Sequence, residues 1–246
     1  MIRVAVNGAH GRMGRLACAA IEAAPDLELV ARSGRGDDVV AAARAGGAEV
    51  VVDFTLPDVV GGAARAVIAA GIRPVIGTSG MTQVLREELA AACAARRLGG
   101  VVVPNFAVGA IVMMRLAELA ARFLPAVEIV EAHHAQKQDA PSGTAIATAE
   151  RLAAVRVACG SKGVAAGAVE SRARGEERAG IRMHSLRLPG VVAEQSITFG
   201  ETGQKLVIEH VAYSREAYMP GVLLACRGVM KLDRLVVGLD DLLFTA

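Results

Sequence analysis

The sequence predicts an α/β protein that begins as a doubly wound parallel sheet and continues into a second region of mixed α+β character. Three observations predict it. Short β-branched runs alternate with amphipathic helical stretches over roughly the first hundred residues, and a glycine-rich turn joins the first run to the first helix. Beyond residue 180, strand-like runs follow one another with no helical pattern between them. Alternation means parallel strands with helices on both faces, whereas strands gathered in a run mean a mixed or antiparallel sheet.

Ile2–Asn7 (IRVAVN) is the first strand, and after the glycines Met13, Leu16, Ala17, Ala20 and Ile21 fall on one face of a helix. Strands follow at 27–31 and 50–54, a helix at 57–70, a strand at 74–76, a helix at 82–97 and a strand at 101–104. A helix over 108–123 then leads to a strand at 127–132 and a helix at 143–154. A charged, glycine-containing stretch occupies 160–180, and strands are expected at 181–186, 196–199 and 206–212. Helical 218–230 and strand-like Leu235–Val237 close the chain and are placed to return to the first region.

Bulk properties exclude several classes. The longest apolar stretch, 106–114, is broken by Arg115, well short of the roughly 20 residues a membrane-spanning helix needs. The run after Arg3 ends at Asn7, too short for the core of a secretory signal, so a cytoplasmic location is expected. Cys18, Cys93, Cys159 and Cys226 form no CxxC pair and read as reduced, small apolar residues. With 27 basic and 25 acidic residues and 3% aromatics, neither a basic stripe nor a stacking platform for nucleic acid is visible.

The turn Gly8-Ala9-His10-Gly11-Arg12-Met13-Gly14 lies between a strand and a helix. There Gly8 allows a tight bend, Gly11 a close approach of backbone to pyrophosphate, and Gly14 close packing of helix on strand, while the helix end offers N–H groups. This is the pattern of a Rossmann-like dinucleotide site. At the end of the second strand, Arg32-Ser33-Gly34-Arg35 stands where an acid that holds the ribose of NADH is usual; Asp37 and Asp38 come later, Asp37 within reach of folding back. Arg35 there is suited to a 2′-phosphate, so NADPH is the expected cofactor, with NADH accepted as well. The loops Gly77-Thr78-Ser79-Gly80 and Pro104-Asn105-Phe106-Ala107 end two further strands on the side where such sheets bind ligands.

His133-His134, Lys137 and Asp139-Ala140-Pro141-Ser142-Gly143-Thr144 form the second cluster. Adjacent histidines on an extended segment point to opposite faces, so one side chain at most meets a given ligand. No third histidine stands at metal-ligand spacing, and no metal is expected. Ala-Pro-Ser-Gly-Thr is not the G-x-S-x-G elbow of hydrolases. It reads instead as an anion seat, with Asp139 or Ser142 capping a helix whose N–H groups and Thr144 hydroxyl hold a carboxylate. An anion, a reduced nicotinamide and a proton donor together point to a reductase. A nicotinamide-sensing protein without catalysis, and a reductase of another small oxo or imino acid, are the competing readings.

Val4–Gly14 (VAVNGAHGRMG), Asp53-Phe54-Thr55, GTSG at 77–80, PNFAVG at 104–109 and above all EAHHAQKQDAPSGTA at 131–145 resemble the dihydrodipicolinate reductase family of lysine and diaminopimelate synthesis. The resemblance implies a dinucleotide-binding domain made by 1–105 with 217–246 and an inserted substrate-binding and oligomerisation domain, 106–216, that assembles a homotetramer. It implies reduction of 4-hydroxy-tetrahydrodipicolinate, a small anionic dicarboxylate. By position, His133 and Lys137 match the family's proton-transfer residues, and His134, Ser142, Gly143 and Thr144 its substrate contacts. Gly8, Ala9, His10, Gly11, Arg12, Met13, Gly77, Thr78, Ser79, Pro104, Asn105 and Phe106 match its cofactor loops, and Arg215 and Tyr218 positions near the nicotinamide. Two departures stand out: Gly34 replaces a frequent Glu, and Gln195 replaces a frequent His.

Overall fold

A computed structural model describes residues 1–78, 80–160 and 171–244. Ser79, and residues 161–170 of the charged stretch, lie outside the described residues. The chain divides into two compact units, Met1–Val108 with Arg215–Ala246, and Gly109–Ser214.

The first unit opens with β1 (Ile2–Asn7), α1 (Arg12–Ala23), β2 (Leu27–Ser33), α2 (Val39–Gly46), β3 (Val50–Asp53), α3 (Pro57–Ala69), β4 (Arg73–Ile76), α4 (Gln83–Ala94) and β5 (Gly100–Val102). The sequence reading passes over α2. Asp38 caps it by accepting the N–H groups of Val40 and Ala41, and Gly47, at φ 64, ends it in the left-handed conformation. Pro57 starts α3 with its φ already set, and Thr82 caps α4.

The second unit contains α5 (Val108–Ala121), β6 (Ala126–His133), α6 (Gly143–Ala158), β7 (Glu176–Arg178), β8 (Ile181–Arg187), β9 (Ala193–Glu201) and β10 (Gln204–Ala212). Its sheet runs β10-β9-β6-β8-β7, with β6 and β8 parallel and the other pairs antiparallel. Strand alternation buries Val127, Ile129 and Glu131 of β6 with Ile181 and Met183 of β8 and Ile197 and Phe199 of β9. The buried face of α6, including Ala145, Ala149 and Leu152, belongs to the same unit and packs on β6 and β8.

The chain then returns to the first unit as α7 (Met219–Gly228), β11 (Leu235–Val237) and α8 (Asp240–Phe244). The expected single helix over 218–230 is divided, with a 3-10 turn at Arg215–Tyr218 before it and another at Val229–Lys231 after it. Pro220, which lacks an N–H, fits only in the first turn of α7 and so sets where the helix begins. The all-parallel sheet runs β11-β5-β4-β3-β1-β2. Chain direction across it reverses between β1 and β3, which makes the carboxyl ends of those strands the binding crevice. Its strands are buried on both faces: Val4, Val6, Val50 and Val52 on one and their neighbours Ala5 and Val51 on the other are all buried. Each such side chain contributes about 1.5–3 kcal/mol of burial. No helix among the described residues is long and apolar enough to cross a membrane.

Candidate functional site

In the first unit, the glycines stand where backbone leaves no room for a side chain. Gly8 has φ 75, and a Cβ there would lie 2.8 Å from the Phe54 carbonyl oxygen. At Gly14 a Cβ would come to 2.1 Å from the Gly8 carbonyl oxygen. Gly11 occupies the N-cap of α1 with no side-chain cap, which leaves that helix end open to an anion. Ala9 is buried, Met13 half-buried, and His10 and Arg12 exposed. Gly77 lies under two rings: its Cβ would be 2.3 Å from Phe54 and 2.7 Å from Phe106, whose rings meet edge to face at 5.7 Å. This backbone cradle at the switch point fits a dinucleotide.

A buried polar network, unremarked in the sequence apart from the Asp-Phe-Thr motif, ties these strand ends together. Asn7 Nδ2 donates to Asp53 Oδ2 at 2.8 Å, and the Ser33 hydroxyl donates to Asn7 Oδ1 at 3.0 Å. Asp53 Oδ1 accepts the Thr55 N–H at 2.8 Å and its hydroxyl at 2.6 Å, and the Thr78 hydroxyl donates to the Thr55 carbonyl at 2.9 Å. Carboxyl ends of β1, β2 and β3 and the loop after β4 are thus held in one arrangement. Pro104 is exposed, Phe106 is buried, and Asn105 Oδ1 accepts the Ala107 N–H at 2.8 Å.

After β2, the loop lies against the glycine turn, since a Cβ at Gly34 would be 2.7 Å from His10 Cδ2. Arg32 pairs with Glu22. Arg35 is exposed, and Asp37 does fold back, accepting the Gly34 N–H at 2.8 Å. Burial raises the Tyr218 hydroxyl above its usual value, with Arg215 opposing it.

In the second unit, β6 carries Glu131 and His133 two residues apart and so on one face. The Glu131 side chain is fully buried, and its Oε2 meets His133 Nδ1 at 2.6 Å. Arg187, paired in register with His133, grips both carboxylate oxygens at 3.0 and 2.9 Å, and the Ser142 N–H donates to Oε1 at 3.2 Å. Burial pushes the Glu131 carboxyl up, but hydrogen bonds from His133, Arg187 and Ser185, with the His133 charge, bring it down to about 2. Arg187 also donates to the Asp139 carbonyl at 2.6 Å, and the Asp139 side chain pairs with Lys137 at 2.8 Å. One continuous network therefore joins Lys137, His133 and the start of α6.

Of the two possible caps, Ser142 fills the position: it is buried and its hydroxyl accepts the Ala145 N–H at 3.2 Å. Gly143 is exposed, with open space where a side chain would stand, so the helix end can be approached. His134 Nδ1 is buried without a hydrogen-bond partner among the described residues. Gln195 fits its buried position, donating to the Thr148 hydroxyl at 2.9 Å, which in turn donates to the Thr144 carbonyl at 2.7 Å. Sequence reasoning carried Glu131 only as the first residue of the 131–145 motif and missed Arg187; the i, i+2 spacing to His133 signals the former, and only strand pairing reveals the latter.

A glycine cradle at the switch point of a parallel sheet, with an imidazole, an ammonium and an open helix end in the other unit, defines a nucleotide-dependent oxidoreductase acting on an anion. Family models described as dihydrodipicolinate reductase match the chain twice, the N-terminus model over residues 2–106 and the C-terminus model over 109–243. The chain belongs to the dihydrodipicolinate reductase family. It is 46% identical to the 4-hydroxy-tetrahydrodipicolinate reductase of Coxiella burnetii, over 98% of this chain and 99% of that one. Identity to the Legionella pneumophila enzyme of that name is 44%, with the same coverage. A solved structure, dipicolinate-bound dihydrodipicolinate reductase from Paenisporosarcina sp. TG-14, matches with a TM-score of 0.88 at 36% identity, over 99% of this chain and all of that one. The chain is accordingly an NAD(P)H-dependent oxidoreductase of lysine and diaminopimelate synthesis.

Proposed function

We propose that the chain reduces its cyclic dicarboxylate substrate with NADPH, and also with NADH, using His133 and Lys137 for proton transfer and the start of α6 as the carboxylate seat. The observation that carries this reading is the hydrogen-bonded network that joins Lys137, Asp139, Arg187, Glu131, His133 and Ser142 in one unit. The dipicolinate of the Paenisporosarcina relative is a dicarboxylate of the kind this seat suits. Gly143 and Thr144 take one substrate carboxylate at the helix end, where the helix dipole favours negative charge. Ser142 serves by holding that end in shape, and the orphan Nδ1 of His134 gains a partner when substrate is bound.

Gly8 to Met13, Gly77 to Ser79 and Pro104 to Phe106 hold the dinucleotide. When bound, it supplies hydride to the conjugated imine. The neighbouring carbon then takes a proton, delivered by His133 or Lys137, a step worth ~10²–10⁴ in rate. Lys137, released from Asp139, gives charge to the second carboxylate. Arg35 meets the 2′-phosphate of NADPH, and Asp37, turned back beside Gly34, suits the ribose hydroxyl of NADH. We place the protein in the cytoplasm as a homotetramer. The exposed Val130, Leu186 and Val207, on one face of the second sheet, favour assembly through that face.

Initial rates, with substrate made by a synthase from pyruvate and aspartate semialdehyde, test the assignment. His133→Gln and Lys137→Ala are each expected to lower kcat by about 10²-fold or more, with NADPH affinity retained. Unchanged turnover in either removes that residue from its role.

A further inference from the structure

Glu131 is unusual among the carboxylates of the second unit: its side chain has no solvent exposure, yet it stays ionised. A buried charge of this kind persists only when donors replace the lost water. Those donors are specific. Oε2 receives His133 Nδ1 and one Arg187 nitrogen; Oε1 receives the other Arg187 nitrogen and the Ser142 N–H. An ion pair that merely fastened β6 to β8 would need Arg187 alone. Here, besides Ser185 on β8 itself, the carboxylate also takes an imidazole on the chemistry side and the residue that caps α6.

An ionised carboxylate only accepts hydrogen bonds, so His133 Nδ1 must carry a proton and Nε2 is left as the atom that exchanges one. Arg187 is itself fixed by the carbonyls of Leu186 and Asp139, so the carboxylate has little freedom to turn. We infer that Glu131, clamped by Arg187, is a positioning residue that fixes the tautomer and orientation of His133 and ties that imidazole to the carboxylate seat at the start of α6. The inference rests on the proton-transfer role proposed for His133. Its physics is that of an imidazole held by a buried acid, where loss of the charge at constant shape leaves the ring in the wrong tautomer.

Glu131→Gln tests it, because the amide keeps the shape and an oxygen for Ser142 while offering His133 a donor. In two-bond ¹H–¹⁵N spectra of the histidine rings, wild-type His133 is expected as the Nδ1–H form and the glutamine variant as the Nε2–H form. Turnover falls by about 10²-fold, within the range for a positioned acid–base group, while KM for NADPH is unchanged and Glu131→Asp recovers part of the loss. An unchanged tautomer in a folded Glu131→Gln protein overturns the inference, whatever the activity. Should that variant not fold, Arg187→Lys, which keeps charge but loses the fork, is expected to give a mixture of tautomers; a single Nδ1–H form there overturns it equally. The two readings fail separately, since full turnover in His133→Gln removes the catalytic role and leaves the tautomer result standing.

Discussion

Acidification should weaken the protein through Glu131 more than through any exposed carboxylate. The group is drawn from an ordinary 4.5 down to about 2 by the donors around it, burial opposing them. Because the folded value lies below the unfolded one, the carboxylate adds stability that is complete above about 4.5 and is lost as pH falls towards 2. At about 1.4 kcal/mol for each tenfold change in proton affinity, the contribution is about 3 kcal/mol. Typical domains have only about 5–15 kcal/mol in total, so the loss is a large share. Urea unfolding followed by far-ultraviolet circular dichroism, from near neutrality to about pH 2, measures it; the chain has no Trp, which favours this probe. Glu131→Gln is expected to start less stable near neutrality and to lose about 3 kcal/mol less than wild type across the acid window. Equal acid losses in the two proteins would refute the assignment of that energy to Glu131.

In the other unit, Gly14→Ala forces a methyl to 2.1 Å from the Gly8 carbonyl oxygen and 2.8 Å from Ala9 Cα, neither of which is the tip of a flexible side chain. Strain of about 1–3 kcal/mol is expected as weaker NADPH binding in a fluorescence titration, and unchanged affinity would contradict the cradle. Arg35→Ala is expected to weaken NADPH by about 10-fold, the loss of one charge-assisted contact, with little effect on NADH. Equal weakening of both cofactors would exclude a 2′-phosphate contact.

How much of this was legible in the sequence varied with range along the chain. Local patterns gave β1 its full span and the starts of α3 and α6, because Pro57 and Ser142 act within a turn of themselves. Helix α2 was overlooked because Val39–Gly46 is short, spanning little more than two turns, although Asp38 and Gly47 bracket it as a cap and a stop. At the site, the glycines and the His-His-Lys segment were visible as motifs. Arg187 was not, because it reaches Glu131 only through the pairing of β6 with β8. For the same reason the Asn7–Asp53 bond escaped notice: it joins residues opposite one another on β1 and β3.

The edge strand β11, which pairs with β5 through Leu235, Val236 and Val237, has a consequence for biosynthesis. During translation the first unit lacks that strand until the insert has already emerged, whereas Gly109–Ser214 is continuous and can complete its sheet earlier. A Cβ on Gly109 would stand 2.6 Å from His210, so the folded insert brings its own two ends together. To the unit around it, the insert then counts as a short loop rather than a long one, and closing the outer sheet costs correspondingly less chain entropy. Vectorial synthesis thus favours an inside-out order of assembly, the inserted unit preceding the unit whose two segments flank it.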